Sequence, residues 1–261
     1  MAPLSARRRA SALVLGVLLL VAGGLGFALT RDAGDEVAEV LTGEPVVILV
    51  HGYGGSTADL RVIGDRLRAQ GRDVVAVSLP DRGEGELEAS ADAVGDVVRG
   101  YPGRPVDLIG FSLGGVVARQ WVADAGTDGV RHVITLGSPH HGTQLAASAG
   151  VFLPGACTRA CAQMQPSSTF LADLNEDETP AGPDWTTVWT ALDRTVTPPE
   201  TARLEGARDV RVQDVCPDER SGHGGLPRSP LVIGLVLAAL SDDLPAVVGP
   251  AECARLRTLG S

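Results

Sequence analysis

Short apolar runs alternate with amphipathic segments from residue 45 to residue 240. The first, PVVILV at 45–50, is continuous and rich in β-branched residues, which is typical of a strand buried on both faces of a sheet. Between the runs, apolar residues recur at helical spacing, as Leu60, Ile63 and Leu67 do. The pattern predicts six strands, at 45–50, 73–79, 105–111, 130–138, 185–192 and 209–215.

The segments between these strands predict helices. The first contains Leu60, and either Ser56 or Thr57 can cap its start. The others are predicted at 86–99, 116–125 and 230–240. Strands that alternate with helices are typical of a parallel sheet covered on both sides. We therefore expect an α/β fold, with a mainly parallel sheet of about six strands and helices on both faces.

Residues 142–183 interrupt this alternation. They form a loop-rich insertion with a short helix predicted around 167–175, at a place in the chain where a segment covering a substrate could lie. The sequence has no internal repeat and no sign of a second domain, so residues 45–261 are predicted to form one domain.

The first 30 residues are predicted to be a signal peptide or a signal anchor. A basic stretch at 7–9 precedes an apolar run at 12–29, and residues 26–28 offer a small-x-small cleavage site. The run is just long enough to anchor the chain in a membrane. Residues 31–44 then read as a polar linker. A cleaved signal peptide predicts a secreted protein. An uncleaved signal anchor predicts an extracytoplasmic protein held in the membrane by residues 12–29.

Charge narrows the range of partners. The net charge of the chain is -10 at pH 7, and its arginines after the N-terminal stretch are scattered. An acidic body of this kind does not favour nucleic-acid binding or electrostatic binding to anionic membranes. We expect no nucleic-acid partner, and we expect a monomer.

The chain has four cysteines, Cys157, Cys161, Cys216 and Cys253. An even count in an exported chain predicts two disulfides, with three connectivities open. The simplest joins the close pair Cys157–Cys161 and the distant pair Cys216–Cys253. A zinc site is the alternative, but no histidine or second cysteine pair stands nearby at ligand spacing. We expect no metal.

The segment GFSLGG at 110–115 is the strongest chemical motif. Ser112 follows a predicted buried strand directly and precedes a helix. Gly110 and Gly114 would let the backbone turn sharply there and expose the serine hydroxyl, as in the G-x-S-x-G nucleophile turn. The alternative is a glycine-rich turn with an incidental serine.

A serine nucleophile needs a base, and the base needs an orienting acid. In proteins with this strand–serine–helix turn, the chain order is serine, acid, histidine. His223 follows the sixth predicted strand and fits that order. The remaining histidines come too early in the chain: His51, His132, His140 and His141.

Asp193 is the leading candidate for the acid because it follows the fifth predicted strand. Asp184 precedes that strand and so lies at its wrong end. Asp218 could compete, and Glu200 and Glu205 are weaker candidates deeper in the connection.

Two backbone N–H groups are predicted to bind the oxyanion of a tetrahedral intermediate. One belongs to Leu113, next to Ser112. The other belongs to Tyr53, in the loop HGYGGS after the first strand. His51, in the same loop, is expected to be a structural hydrogen-bonding residue.

These segments together resemble a known family. PVVILVHGYGGS, DLIGFSLGG, VITLGSPHHGT and the stretch WTTVWTALDRTVTPPETARLEGARDVRVQDV with GHGGLP are similar to α/β-hydrolases of the small bacterial lipase kind, that is, lipase class 2 and actinobacterial triacylglycerol lipases. The resemblance covers nearly all of 45–240. The chain departs from the smallest members in residues 142–183, in its four cysteines and in having Phe111 before the serine.

The resemblance implies hydrolysis of carboxylic esters of lipids, with Ser112, Asp193 and His223 as a catalytic triad and no cofactor. It also implies a shallow apolar site for an apolar ester or lipid substrate, with Tyr53 and Leu113 as the oxyanion donors. Two alternatives stay open: an acyltransferase that uses the same triad, and a non-catalytic binding protein of the hydrolase fold. The last requires a lost triad member, and the sequence retains all three.

Overall fold

The computed structural model describes residues 43–152, 155 and 157–261. The predicted signal segment at 1–30 and most of the predicted linker at 31–44 lie outside these residues. Within the described part of the chain, every helix is too short or too polar to cross a membrane.

A six-stranded sheet forms the centre of the domain. Its strand order is β2-β1-β3-β4-β5-β6, and each neighbouring pair is parallel. The strands are β1 Val46–Val50, β2 Asp73–Val77, β3 Val106–Phe111, β4 Val130–Leu136, β5 Asp184–Trp189 and β6 Arg208–Arg211. The parallel α/β sheet predicted from the apolar runs is confirmed.

Helices cover both faces of this sheet. The α-helices among the described residues are α1 Arg61–Ala69, α2 Leu87–Arg99, α3 Leu113–Ala125, α4 Gln144–Phe152, α5 Arg159–Gln163, α6 Thr169–Leu174, α7 Val212–Val215, α8 Pro230–Ala239 and α9 Cys253–Leu259. Short 3₁₀ helices lie at Thr57–Leu60, Pro80–Gly83, Pro199–Ala202, His223–Arg228 and Pro250–Glu252.

Successive residues of β1 point to opposite faces, as the two-residue period of a strand requires. Val47 and Leu49 pack in a core with α1, α8 and α9. Ile48 and Val50 pack in a second core with α2, α3 and the helices of the 142–183 segment. Burial on both faces explains why the sequence of β1 is apolar throughout.

The main differences from the sequence prediction concern the sixth strand and two helical regions. The sixth strand ends at Arg211, and Val212–Val215 is a short helix, because Val212 and Val215 share one buried helical face rather than alternating across a sheet. The described residues of the segment 142–183 form three helices, α4, α5 and α6, where one was predicted. The last helix, α9, was not predicted, because Leu256 is its single buried residue and leaves no apolar periodicity.

The cysteines pair as Cys157–Cys161 and Cys216–Cys253, the simplest of the three connectivities. The second disulfide joins the residue after α7 to the start of α9. Beside it, α8 and α9 pack closely. Gly234 permits this contact, since a Cβ there would lie only 1.9 Å from the Leu256 carbonyl oxygen.

Candidate active site

Ser112 lies in a strained turn between β3 and α3. Its φ angle is 56°, in the left-handed region that non-glycine residues rarely adopt. The turn is held by the Ser112 N–H, which donates to the Leu136 carbonyl of β4 at 2.9 Å. A residue in such a conformation costs about 1–3 kcal/mol and persists where the surroundings impose it, often at functional sites.

The flanking glycines of the motif are required by close backbone approach. A Cβ on Gly110 would lie 2.3 Å from Cα of Gly115, and a Cβ on Gly114 would lie 2.2 Å from the Val50 carbonyl oxygen. Both distances are far below van der Waals contact. The G-x-S-x-G pattern therefore follows from the packing of α3 against β1 and β3.

Three predicted residues meet at the carboxyl edge of the sheet. Nε2 of His223 lies 3.0 Å from Oγ of Ser112, and Nδ1 of His223 lies 2.7 Å from Oδ2 of Asp193. Ser112 follows β3, Asp193 follows β5 by four residues, and His223 follows β6 and α7. With Nδ1–H donating to the carboxylate, Nε2 is free to accept the serine proton.

Asp193 is buried and held by backbone groups. Its Oδ1 atom accepts hydrogen bonds from the N–H groups of Thr195 and Val196, both at 2.8 Å. These bonds leave Oδ2 directed at the imidazole. The carboxylate therefore reaches His223 in one fixed orientation.

Phe111, the residue before the candidate nucleophile, packs against the candidate base. Its ring centroid lies 5.0 Å from that of His223, at an interplanar angle of 36°. The side chain of His223 is 12% exposed. The aromatic contact restricts the imidazole and gives Phe111 a packing role.

Among the described residues, Asp193 is the one acidic candidate that is hydrogen-bonded to His223. Asp218 receives two hydrogen bonds of 3.0 Å from Arg257, and these bonds lower its pKa. Asp184 begins β5 and so lies at the opposite end of that strand from Asp193. Glu200 lies in the 3₁₀ helix Pro199–Ala202, and Glu205 donates its backbone N–H to Glu178.

The other histidines have structural contacts. His51 is buried, with Nδ1 2.8 Å from the Gly52 carbonyl and Nε2 accepting the Leu79 N–H at 3.2 Å. His140 is buried and bonds to Thr135 through Nε2. His141 lies 2.8 Å from a Glu178 carboxylate oxygen.

The predicted oxyanion donors flank Ser112. The loop after β1 passes directly over the serine, since a Cβ on Gly52 would lie 2.9 Å from the Ser112 Cβ. Leu113 is the first residue of α3. Within the described ranges, neither the Tyr53 N–H nor the Leu113 N–H donates to another backbone carbonyl. Both groups are therefore available to an oxygen bound above Ser112.

An apolar cleft of about 180 Å³ opens beside Ser112. Tyr53 stands at its margin, 38% exposed, and Leu145 of α4 is 55% exposed. The rest of the lining is mostly apolar: Pro139, Ala146, Ala149, Cys161, Met164 and Val196, with Thr143 and Thr195. The segment 142–183 thus supplies much of the wall of this cleft.

Thr143 is a site residue that sequence reasoning missed. Its hydroxyl donates to the Thr195 carbonyl at 2.8 Å and accepts the Thr197 N–H at 3.1 Å. It thereby ties the segment after β4 to the loop that carries Asp193. No local pattern marks this threonine, because its partners lie more than 50 residues along the chain.

One cluster of metal-ligand side chains stands apart from the site. His132, Asp184 and Asp242 place ligand atoms within 4.8 Å of one another, at the amino ends of β4 and β5. Ser112 lies at the carboxyl end of β3, the other edge of the sheet. The cluster is therefore not part of the candidate active site.

Known proteins share this architecture. A profile for the family described as alpha/beta hydrolase fold matches residues 45–156, which include the first strand, the Tyr53 loop and Ser112. The chain has the α/β-hydrolase fold. No curated protein matches its sequence.

Solved structures extend the α/β-hydrolase likeness beyond residue 156. Aspergillus fumigatus lipase B superposes with a TM-score of 0.67 at 18% identity, covering 87% of this chain and 64% of that one. Bacillus licheniformis lipase BlEst2 in its mature form gives 0.63 at 20% identity, covering 80% and 94%. This chain therefore spans less than two thirds of the fungal protein and nearly all of the bacterial one.

A third solved structure is also similar. MGS-MChE2, an alpha/beta hydrolase enzyme from the metagenome of sediments of the Mar Chica lagoon, Morocco, gives a TM-score of 0.56 at 20% identity, covering 77% of this chain and 92% of that one. At these identities the likeness is one of fold.

Proposed function

We propose that the protein is a serine hydrolase that cleaves carboxylic esters of lipids or other apolar acids. The observation that carries this proposal is the chain of contacts from Ser112 through His223 to Asp193, with hydrogen-bond distances of 3.0 and 2.7 Å. Nucleophile, base and orienting acid in this geometry are the requirements of acyl transfer through serine. The assignment to the small bacterial lipases is part of the same proposal.

Acylation begins when Oγ of Ser112 attacks the carbonyl carbon of the ester. The serine proton passes to Nε2 of His223. The carbonyl oxygen becomes an oxyanion that accepts hydrogen bonds from the backbone N–H groups of Tyr53 and Leu113. The ester C–O bond then breaks, and the alcohol leaves with the proton from His223. The product of this step is an acyl-serine.

Deacylation repeats the sequence with water. His223 removes a proton from the water molecule, and its oxygen attacks the acyl carbon. The second tetrahedral intermediate collapses, the bond to Ser112 breaks, and Oγ recovers the proton from His223. The acid product leaves, and Asp193 has held the imidazole in one tautomer throughout.

The apolar cleft beside Ser112 supports an apolar acyl or alcohol group as the substrate. Its exposed wall residues, Leu145 and Tyr53, offer contact area to a hydrocarbon chain. Two of the similar folds are lipases by name. The two disulfides support a location outside the cytoplasm, where such bonds persist.

Fluorophosphonate labelling tests the proposal. The folded protein should take up the probe at one serine, and Ser112→Ala should take up none while keeping its circular dichroism spectrum. A folded wild-type protein that does not react with the probe would contradict the proposal and favour a non-catalytic binding protein. Hydrolysis of p-nitrophenyl esters from short to long chains, beside a triglyceride emulsion, then defines the acyl preference. Product analysis with a glycerol acceptor separates hydrolysis from acyl transfer.

A further inference from the structure

The side chain of Tyr53 is tied to a distant segment of the chain. Its hydroxyl lies 2.9 Å from Oγ1 of Thr158, 105 residues later. Tyr53 borders the cleft beside Ser112, and its ring is partly exposed. The hydrogen bond therefore joins the loop after β1 to the insertion that forms the wall of the cleft.

Thr158 is itself held firmly. It is the N-cap of α5, where its hydroxyl accepts the Cys161 N–H. The disulfide between Cys157 and Cys161 closes the same turn. A capped and cross-linked turn keeps few alternative conformations, so the hydroxyl of Thr158 has a nearly fixed position.

The turn is also docked on the body of the domain. The Ala160 N–H donates to the Glu84 carbonyl at 3.2 Å, and Arg159 pairs with Glu86 at 2.6 Å. Cys161 is buried in the second core. The turn from Cys157 to Cys161 is therefore a fixed support next to the Tyr53 loop.

The Tyr53 loop needs such a support because it is rich in glycine. Gly52 precedes the tyrosine, Gly54 and Gly55 follow it, and Gly54 has a φ angle of 62°. Glycine leaves the backbone free to move, whereas an oxyanion donor acts only when it is held in place before the reaction. On one side of the loop, Arg82 donates to the carbonyls of Gly54 and Gly55. The bond to Thr158 restrains the other side.

We propose that Thr158 is a positioning residue that fixes the backbone N–H of Tyr53 for the oxyanion. This inference rests on the proposed function. It gives the tyrosine hydroxyl and the Cys157–Cys161 turn a place in the reaction, although neither touches the reacting atoms. A role in positioning the oxyanion donor affects the transition state and leaves substrate binding almost unchanged.

A double-mutant cycle tests the proposal. Tyr53→Phe and Thr158→Val each remove one hydroxyl and keep the shape and the backbone. Each should lower kcat about tenfold, a part of the roughly 100- to 1,000-fold cost of deleting one oxyanion donor, with KM within about twofold of wild type. The double variant should be no worse than Thr158→Val alone, because both substitutions break the Tyr53–Thr158 bond and Thr158→Val also removes the acceptor of the Cys161 N–H. Thr158→Ser, which keeps the hydroxyl, should restore kcat.

Matched controls are available elsewhere in the chain. Tyr101→Phe removes the other tyrosine hydroxyl, and Thr258→Val removes a threonine hydroxyl in α9, whose one bond is within its own helix. Neither should change kcat. Additive losses in the cycle, a change in KM alone, or wild-type kcat in Tyr53→Phe would each overturn the proposal.

The cycle also separates this inference from the proposed function. If Ser112→Ala abolishes turnover and Tyr53→Phe behaves as wild type, the hydrolase assignment stands and the positioning role fails. If Ser112→Ala retains wild-type turnover, the hydrolase assignment itself fails, and the positioning role fails with it.

Discussion

Asp193 combines two tasks in one carboxylate. Oδ1 organises its own loop by accepting two backbone N–H groups, and Oδ2 orients His223. The division explains how a side chain at a strand end can be both buried and directed. It also means that the second task can be removed while the first is kept.

Asp193→Asn makes that separation. The asparagine oxygen can keep the bonds to Thr195 and Val196, but its amide cannot accept the Nδ1 proton of His223. The imidazole then adopts the wrong tautomer, and we expect kcat to fall about 10⁴-fold with the melting temperature little changed. Ester turnover and thermal unfolding measured on the same preparation check both parts. Activity close to that of the wild type would show that Asp193 is not the orienting acid and would assign that role to Asp218 or a glutamate.

His140 gives a different kind of prediction, on pH and stability. It is buried beside the Arg119 guanidinium, and burial followed by that charge holds its pKa well below the usual range. Arg119, whose own pKa is lowered to about 10 by burial, is charged at neutral pH. The folded protein therefore keeps His140 neutral where the unfolded chain, with an ordinary pKa near 6.5, takes up a proton.

Below about pH 6.5 the unfolded state binds more protons, so the free energy of unfolding falls as the pH falls. The contribution approaches about 1.4 kcal/mol per pH unit. Denaturant titrations at pH 7.5, 6.5 and 5.5 should show a shallower decline in His140→Gln than in wild type. Equal slopes in the two proteins would mean that His140 is protonated in the fold.

At the residue scale, sequence could name Ser112, Asp193 and His223 because each follows a predicted strand and their order along the chain is restricted. The geometry brings these three within hydrogen-bonding distance. Thr143 and Thr158 could not be named. The partners that tie them to the site are 52 to 105 residues away, and a threonine outside a regular strand or helix carries no periodic signal.

Among the elements, the crossing of α3 over the sheet is the one on which the site depends. The glycine at 114 lets the first turn of α3 lie against the end of β1. Any side chain there meets backbone, which cannot rotate away as a flexible side chain can.

Gly114→Ala should therefore destabilise the fold by several kcal/mol, as overpacking against a fixed backbone does. Expression of soluble protein and the midpoint of urea unfolding measure the effect. Gly249→Ala is the matched control, because a Cβ there meets nothing within 4 Å. Equal midpoints for the two variants would show that α3 can shift to admit the methyl group.

The elements also show where sequence patterns mislead. Strands β1 to β5 were predicted to within a few residues because burial on both faces gives continuous apolar runs. Residues 209–215 were also predicted as a strand, yet Val212 and Val215 are three residues apart and fit a helical turn equally well. Short segments of this kind are decided by tertiary packing, which no local period contains.

For the molecule as a whole, the two disulfides differ in what they constrain. Cys216–Cys253 spans 37 residues and joins the residue after α7 to the start of α9, whereas Cys157–Cys161 spans four. The loop-closure model gives about 4 kcal/mol for the first and about 2 kcal/mol for the second.

Serine pairs should reproduce this order. Cys216→Ser with Cys253→Ser should lose about 4 kcal/mol of unfolding free energy and keep kcat, and Cys157→Ser with Cys161→Ser should lose about 2 kcal/mol and also turn over more slowly. Chemical denaturation and ester kinetics on both pairs give the comparison. A reversed order of stability would contradict the entropic origin.

The left-handed backbone at Ser112 implies a trade-off between the stability of the fold and catalytic turnover. A glycine adopts that conformation without a steric penalty. The free energy of unfolding of Ser112→Gly should therefore be about 1 kcal/mol higher than that of the equally inactive Ser112→Ala. Selection for ester cleavage would then have retained a residue that lowers the stability of the fold. Substitutions meant to raise the melting temperature should accordingly be placed on surfaces far from this turn, where they do not affect catalysis.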